Sequence, residues 1–220
     1  MILPIANILT PEEVALMVER LGGGRFQPGA ATAGWHAKLV KDNEQLRGDD
    51  PAHGDLRALV EGAVRRHPVA AMATRPKVFG PILFARASGG QHYGSHVDDA
   101  LMGGLRTDVS FTLFLADPDR YEGGELVMET AAGDVGFKLP AGAGLFYPST
   151  TLHRVTPVTA GQRLVAAGWI RSFMRDAAER ELLFDLDTAR QGIFNRDGKN
   201  AEFDLLSKCL SNLIRKWAED

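Results

Sequence analysis

A mainly β fold with flanking helices, built as a jelly roll or a related β-barrel, is what this 220-residue chain predicts. Three observations carry that prediction. Glycine is concentrated in the middle, with 14 of the 24 glycines in residues 76–173 and only 2 beyond 173, and glycine gathers where tight turns need positive φ. Short apolar runs, some strictly alternating, fill the spaces between those turns. The two ends carry helical periodicity instead. The chain therefore divides into an N-terminal helical layer (1–75), a β core (76–173) and a C-terminal helical segment (174–220).

The elements follow in order. Thr10-Pro11-Glu12-Glu13 is a capping box with proline in the first turn, and the helix it opens stops at Gly22-Gly23-Gly24. Asp55 is placed to cap a second helix with Leu56, Leu59, Val60, Ala63 and Val64 as its apolar positions and Pro68 just beyond its end. Strands are expected over 78–87, 91–98, 108–115, 125–129, 134–139, 143–147, 153–157 and 164–173. Within 108–115, Phe111, Leu113 and Leu115 alternate with Ser110, Thr112 and Phe114, so the two sets face opposite ways. A helix over 176–190 begins near Asp176. In the last segment Phe203, Leu206, Leu210, Leu213, Ile214 and Trp217 recur at helical spacing. That stripe is expected to pack on the core, with a homodimer interface as the alternative. Cys209 borders it and is expected to be a packed thiol.

Composition excludes several classes. Hydrophobic residues make up 45% and charged residues 24%, the balance of a globular rather than a disordered chain. The longest apolar stretch, 164–170, is too short to cross a bilayer, and the N-terminus lacks the basic residue and long apolar run of a signal peptide. A single cysteine excludes an internal disulfide and fits a reducing compartment, so a cytoplasmic protein is expected. The net charge is −3, and the three segments carry 0, −1 and −2. No part is a basic arm, which disfavours a nucleic-acid partner.

His96-Val97-Asp98 places a histidine and a carboxylate two residues apart, on one face of the predicted strand 91–98. Alone, the tripeptide reads as a hydrogen-bonded His–Asp pair before it reads as a metal site. His153, 55 residues after Asp98, changes the reading. Two histidines and one carboxylate form the facial triad of non-haem iron, with open positions for substrate and oxygen. Structural zinc would want four ligands and usually thiolates; catalytic zinc on the same triad stays open. Arg163 follows His153 by ten residues and opens the strand expected to return alongside it. A guanidinium beside a metal suits the far carboxylate of a chelating acid.

The stretches Gly90-Gln91-His92-Tyr93-Gly94-Ser95-His96-Val97-Asp98-Asp99-Ala100, Tyr121-Glu122-Gly123-Gly124-Glu125-Leu126, and Tyr147-Pro148-Ser149 through His153 to Arg163 resemble the PKHD-type hydroxylases, iron(II)- and 2-oxoglutarate-dependent dioxygenases related to prolyl hydroxylases. The resemblance extends over most of the chain, the helical tail included. It implies a double-stranded β-helix core, His96, Asp98 and His153 as Fe(II) ligands, Arg163 as the anchor of the 2-oxoglutarate cosubstrate, and ascorbate as reductant. It also implies hydroxylation of a small-molecule or peptidyl substrate with release of succinate and carbon dioxide. Many relatives carry a serine two residues after the arginine as a second carboxylate donor, where this chain has Val165. Tyr93, Thr112 and Tyr147 are the candidates for that part, Tyr93 first.

Two other functions stay open at this point, a metal-binding β-barrel without turnover and a zinc hydrolase, and neither has a use for Arg163. His36, His53 and His67 are expected to face solvent. His92 is either an outer group orienting a ligand or a plain strand histidine. Gly123-Gly124 is expected to be a turn without a role in the site, and residues 101–107 either a mobile loop over the site or an ordinary connection.

Overall fold

The computed structural model describes residues 1–32, 34–35 and 37–219; His36 lies outside the described residues. The first third runs β1 (Leu3–Ile5), α1 (Pro11–Gly22), β2 (Phe26–Pro28), two 3-10 turns, β3 (Lys41–Asp42), β4 (Glu44–Leu46), α2 (His53–Arg66) and α3 (Pro68–Thr74). The middle begins with β5 (Pro76–Ala87), β6 (His92–His96), β7 (Leu101–Met102), β8 (Leu105–Arg106), β9 (Val109–Phe114) and β10 (Tyr121–Gly123). It continues with β11 (Leu126–Thr130), β12 (Gly133–Phe137), β13 (Gly144–Pro148), β14 (His153–Val155), β15 (Val158–Gly161) and β16 (Arg163–Ser172). Helices α4 (Ala177–Asp197) and α5 (Ala201–Trp217) follow.

Two antiparallel sheets make the jelly roll. The larger has the order β1-β13-β9-β16-β5-β4-β2 and the smaller β12-β11-β14-β6-β3. Residues 1–75 are thus more than a helical layer: β1, β2 and β4 lengthen the larger sheet and β3 the smaller. Strands of two or three residues are too short to show a period, so only pairing with the core reveals them.

The larger sheet is buried on both faces. On its outer face, Met17, Leu21, Leu56, Val60, Ala63 and Val64 of α1 and α2 pack with Phe79, Ile82, Phe84, Phe111, Leu113 and Ile170. The alternation read in residues 108–115 is realised here, since Phe111 and Leu113 join this layer while Ser110 and Thr112 turn to the space between the sheets. Gly168 makes room for that arrangement, because a Cβ there would stand 2.6 Å from Phe111 Cζ.

The capping box forms as read: Glu13 N–H donates to Thr10 Oγ1 at 3.2 Å and Thr10 N–H to Glu13 Oε2 at 2.9 Å. Asp55 is a correction. The second helix starts two residues earlier, so Asp55 falls inside its first turn, where its charge still suits the helix dipole. Asp50 holds that entry instead, accepting from Ala52 N–H at 2.9 Å and Arg25 N–H at 2.8 Å. Pro68 opens α3, and the long contact of 3.4 Å from Ala70 N–H to His67 Nδ1 caps it. His67 is therefore half-buried rather than solvent-facing, as is His53, which meets the Phe84 ring edge-on at 5.5 Å.

Asp176 caps α4 through Ala178 and Glu179 N–H at 2.7 and 3.0 Å. The stripe of α5 packs within the chain: Leu210 is buried with Met174 and Leu183, and Leu213, Ile214 and Trp217 flank them. Cys209 is exposed, contrary to expectation. One residue from Leu210 is about 100° around a helix, which carries it off the apolar face. Buried Arg180 ties α4 to the core, donating to Met174 O at 2.7 Å, Arg175 O at 2.9 Å and Asp108 O at 3.2 Å. No described helix is long and apolar enough to cross a membrane.

Candidate active site

Three candidate ligands converge between the sheets. His153 opens β14 and sits opposite His96 in the antiparallel β14–β6 register. Strand β6 ends at His96, so Asp98 lies beyond the sheet and strand alternation does not aim it. A contact from the other sheet does: Ser110 on β9 donates from Oγ to Asp98 Oδ2 at 2.5 Å, with Ser149 Oγ 2.8 Å from the same hydroxyl. One ligand atom from each of His96, Asp98 and His153 falls within 4.8 Å of the others. Both imidazoles are held from behind, since Nδ1 of His96 lies 2.9 Å from Gly94 O and Nδ1 of His153 lies 2.9 Å from Thr151 O. An Nδ1–H donated to a carbonyl leaves the Nε2 lone pair facing the centre. Burial, followed by the neighbouring His153, pulls the His96 pKa down to about 4, so at neutral pH its ring is the uncharged form that binds metal. Two imidazoles and one carboxylate are a donor set that fits a non-haem iron and leaves positions open for other ligands.

A cavity of about 380 Å³ separates the sheets at this point. Its larger-sheet wall includes Ala85, Ala87, Thr112, Tyr147, Arg163 and Val165, and the triad forms part of the opposite side. Arg163 opens β16, but β16 pairs with β5 and β9 in the larger sheet rather than running alongside His153. The arginine thus faces the histidines across the cavity instead of neighbouring them in one sheet. It is 6% exposed, and burial lowers its pKa. The groups that act on its charge are the phenols of Tyr121 and Tyr147, not a carboxylate. Its Nε–H donates to Gly124 O at 3.0 Å. Gly123-Gly124 consequently touches the site, against the sequence reading. Both residues have φ of 68°; a Cβ on Gly123 would meet Pro157 O at 2.0 Å, and one on Gly124 would meet Arg163 Cδ at 3.1 Å.

The other candidates are separated by the fold. The Tyr93 ring stacks on His96, centroids 3.6 Å apart at 14°, and burial beside Asp98 raises its pKa. Tyr147 is buried among the same groups; its Oη lies 3.3 Å from His153 Nε2, and burial raises its pKa well above the ordinary value. Thr112 lines the cavity with Tyr147, and its hydroxyl acts on the Tyr147 phenol in the sense opposite to burial. His92 is exposed at the cavity rim. The 101–107 stretch is a hairpin, β7 paired with β8 around Gly103-Gly104 at φ of 58° and 79°, with Met102 reaching the cavity. Sequence reasoning missed Ser110, Gly124 and Lys41. Their contacts join segments far apart in the chain, and no local pattern marks them.

Comparison with known proteins agrees with this geometry. Residues 82–171 match the 2OG-Fe(II) oxygenase superfamily, which defines the class, and residues 177–219 match the PKHD-type hydroxylase C-terminal domain. A PKHD-type hydroxylase of Acaryochloris marina is 53% identical and one of Crocosphaera subtropica 52% identical, each match covering the whole of both chains. The chain belongs to the PKHD-type hydroxylases. Its fold is that of a Pseudomonas putida prolyl-4-hydroxylase (TM-score 0.55, 22% identity, 78% of this chain and 92% of that one). A viral collagen prolyl hydroxylase of Paramecium bursaria Chlorella virus-1 shares it (TM-score 0.56, 19% identity, 78% and 96%). The protein is a 2-oxoglutarate- and Fe(II)-dependent hydroxylase, which sets aside the non-catalytic barrel and the zinc hydrolase.

Proposed function

We propose that His96, Asp98 and His153 hold the Fe(II) and that Arg163 pairs with the distal carboxylate of 2-oxoglutarate. When bound, the metal and cosubstrate supply the oxidation: dioxygen places one oxygen atom in the substrate C–H bond and the other in succinate, as 2-oxoglutarate loses carbon dioxide. The chain's own residues bind, orient and exclude water. Gly94 O and Thr151 O keep the imidazoles turned inward, and Ser110 holds Asp98 Oδ2 so that Oδ1 is left for the metal. Thr112 and Tyr147, on the sheet that carries Arg163, supply the further hydroxyls for the distal carboxylate, and Tyr93 packs against the His96 ring. No side chain has to act as a general acid or base.

Residues 76–173 are the catalytic core in this reading, with 1–75 and 174–220 as layers around it. The substrate is a small molecule or a peptidyl group, ascorbate keeps the iron reduced, and the single cysteine fits a reducing cytoplasm. With its stripe consumed against α4, α5 serves as a packing layer rather than a dimer interface.

The observation that carries the proposal is Arg163, a buried guanidinium with no carboxylate partner among the described residues, in the same cavity as three metal-ligand atoms. The test is calorimetric titration of 2-oxoglutarate into Mn(II)-loaded protein. Arg163→Ala keeps the metal but loses roughly 30- to several-thousand-fold in 2-oxoglutarate affinity, the equivalent of about 2–5 kcal/mol for a desolvated charge-assisted pair. Arg163→Lys recovers part, because an ammonium keeps the charge without the fork. Wild-type affinity in Arg163→Ala would overturn the anchor.

A further inference from the structure

The cavity holds a second cation that the iron and cosubstrate leave without a partner. Lys41, on β3, pairs in register with Tyr93 of β6 and lines the cavity, its Nζ 5.0 Å from the Tyr93 ring centroid. The carboxylate that acts on it is Asp98, which is already engaged by Ser110 and, in the reading above, by the metal. Charge counting makes the point. A divalent iron, the Asp98 carboxylate, the Arg163 guanidinium and the 2-oxoglutarate dianion cancel one another, and a histidine that ligates a metal does so as a neutral donor. The Lys41 ammonium is then left, among the described residues, with the Tyr93 ring and a share of the already engaged Asp98 in a partly desolvated space, a costly arrangement unless an anion joins it. Asp99 also borders the cavity, but at its exposed rim, packed against Gly34.

The rest of the wall fits an anion with an aliphatic body. Pro81, Leu83, Ala85 and Ala87 of β5 all turn into the cavity and give it an apolar floor. Trp169 Nε1 is buried at the cavity wall with no acceptor among the described residues. Asn43 Oδ1 also has no partner among the described residues, but it turns against Gly29, where a Cβ would meet it at 1.8 Å. Unmatched donors over an apolar floor are the lining expected for an aliphatic acid.

We propose that the hydroxylated substrate is an anionic aliphatic molecule, a carboxylate whose charge pairs with Lys41 while its alkyl portion lies over the floor of Pro81, Leu83 and Ala85. This rests on the reading of the triad and Arg163 as the iron and 2-oxoglutarate sites, and the experiment separates the two. Full-length protein is loaded with Mn(II) and saturated with 2-oxoglutarate. The paramagnetic relaxation of added hexanoate, hexanamide and hexylamine protons is then measured, with hexyl phosphate as a second anion. Hexanoate is expected to relax most, by about fivefold or more over the amide and amine, as one partly buried ion pair implies. Lys41→Met should bring hexanoate down to the amide level while calorimetric 2-oxoglutarate affinity stays at the wild-type value, and Lys41→Arg should retain the preference. A stronger effect on hexyl phosphate than on hexanoate would overturn the carboxylate assignment. Equal relaxation of all probes, a preference for hexylamine, or an unchanged hexanoate signal in Lys41→Met would overturn the anion site. Loss of 2-oxoglutarate affinity in Lys41→Met would overturn it too, by giving Lys41 to the cosubstrate. If the wild type binds neither Mn(II) nor 2-oxoglutarate, the iron-site reading itself falls, and this proposal with it.

Discussion

Ser110 reaches across from one sheet to hold the carboxylate of a residue that has just left the other. Serine to alanine removes that donor with little change of volume, so Ser110→Ala is expected to fold and to lose about 10- to 100-fold in metal affinity, the usual effect of deleting a group behind a ligand. Titration with Mn(II) checks it, and unchanged affinity would remove Ser110 from the site. The triad residues are expected to behave differently in kind: His96→Ala, Asp98→Ala and His153→Ala each lose stoichiometric Fe(II) and turnover, whereas changes at His53 and His67, outside the cavity, leave metal content intact. Full iron occupancy in His153→Ala would sink the triad. His67 carries its own pH dependence. Its Nδ1 accepts from Ala70 N–H, which needs the neutral ring, and burial lowers its pKa below the ordinary 6.5. The folded state thus favours the neutral form, and the contribution present above that ordinary value is lost as pH falls through the folded one. His67→Asn keeps an acceptor that does not titrate, so its urea midpoint should fall less between pH 7.5 and 5 than the wild type's. His67→Ala should cost about 1 kcal/mol at neutral pH as a lost cap.

Among the elements, the turn after β10 shows why a glycine pair reads ambiguously. In sequence, Gly123-Gly124 is indistinguishable from the turns that merely reverse the chain. In the structure its second carbonyl receives Arg163 Nε–H, and the positive φ at both residues aims it there. Gly124→Ala combines a left-handed strain of about 1–2 kcal/mol with a methyl group against Arg163 Cδ. The expected result is retained metal and 2-oxoglutarate affinity lowered by about tenfold; calorimetry distinguishes that from general unfolding. Strand β16 was more legible. Its alternation puts Leu164, Ala166 and Ile170 on the helix side and Arg163, Val165, Ala167 and Trp169 toward the cavity. What its alternation left open was the partner strand, since β16 could have joined either sheet.

At the scale of the molecule, the C-terminal helices are fastened to the segment that follows the ligand loop. Arg106 pairs with Asp108 at 2.7 Å and with Glu219 at 2.6 Å, while Arg180 bonds three carbonyls, Asp108 O among them. Arg180→Ala strands those buried carbonyls and is expected to cost about 2–4 kcal/mol, read as a lower denaturant midpoint. Ligand loading should act in the opposite direction. Saturation to 100 times Kd adds about 2.7 kcal/mol for each ligand that binds only the folded state. Thermal melts should therefore rise with Mn(II) and again with 2-oxoglutarate, and Arg163→Ala should keep the first step and lose the second.

Local chemistry was enough to determine a good deal. Turn glycines and apolar periodicity located the β core between helical ends, the Thr10–Glu13 box began the first helix, and residue type together with the resemblance to the PKHD-type hydroxylases marked His96, Asp98, His153 and Arg163 as candidates. Turns, caps and periodicity are properties of neighbouring residues, and a chain displays them before it folds. The tertiary structure alone decided which sheet β16 joins, how Asp98 is aimed once β6 has ended, that β3 brings Lys41 into the cavity, and that Cys209 faces solvent. Each depends on pairing between segments far apart in the chain, or on which way an element turns as it packs, and local periodicity carries no information about either.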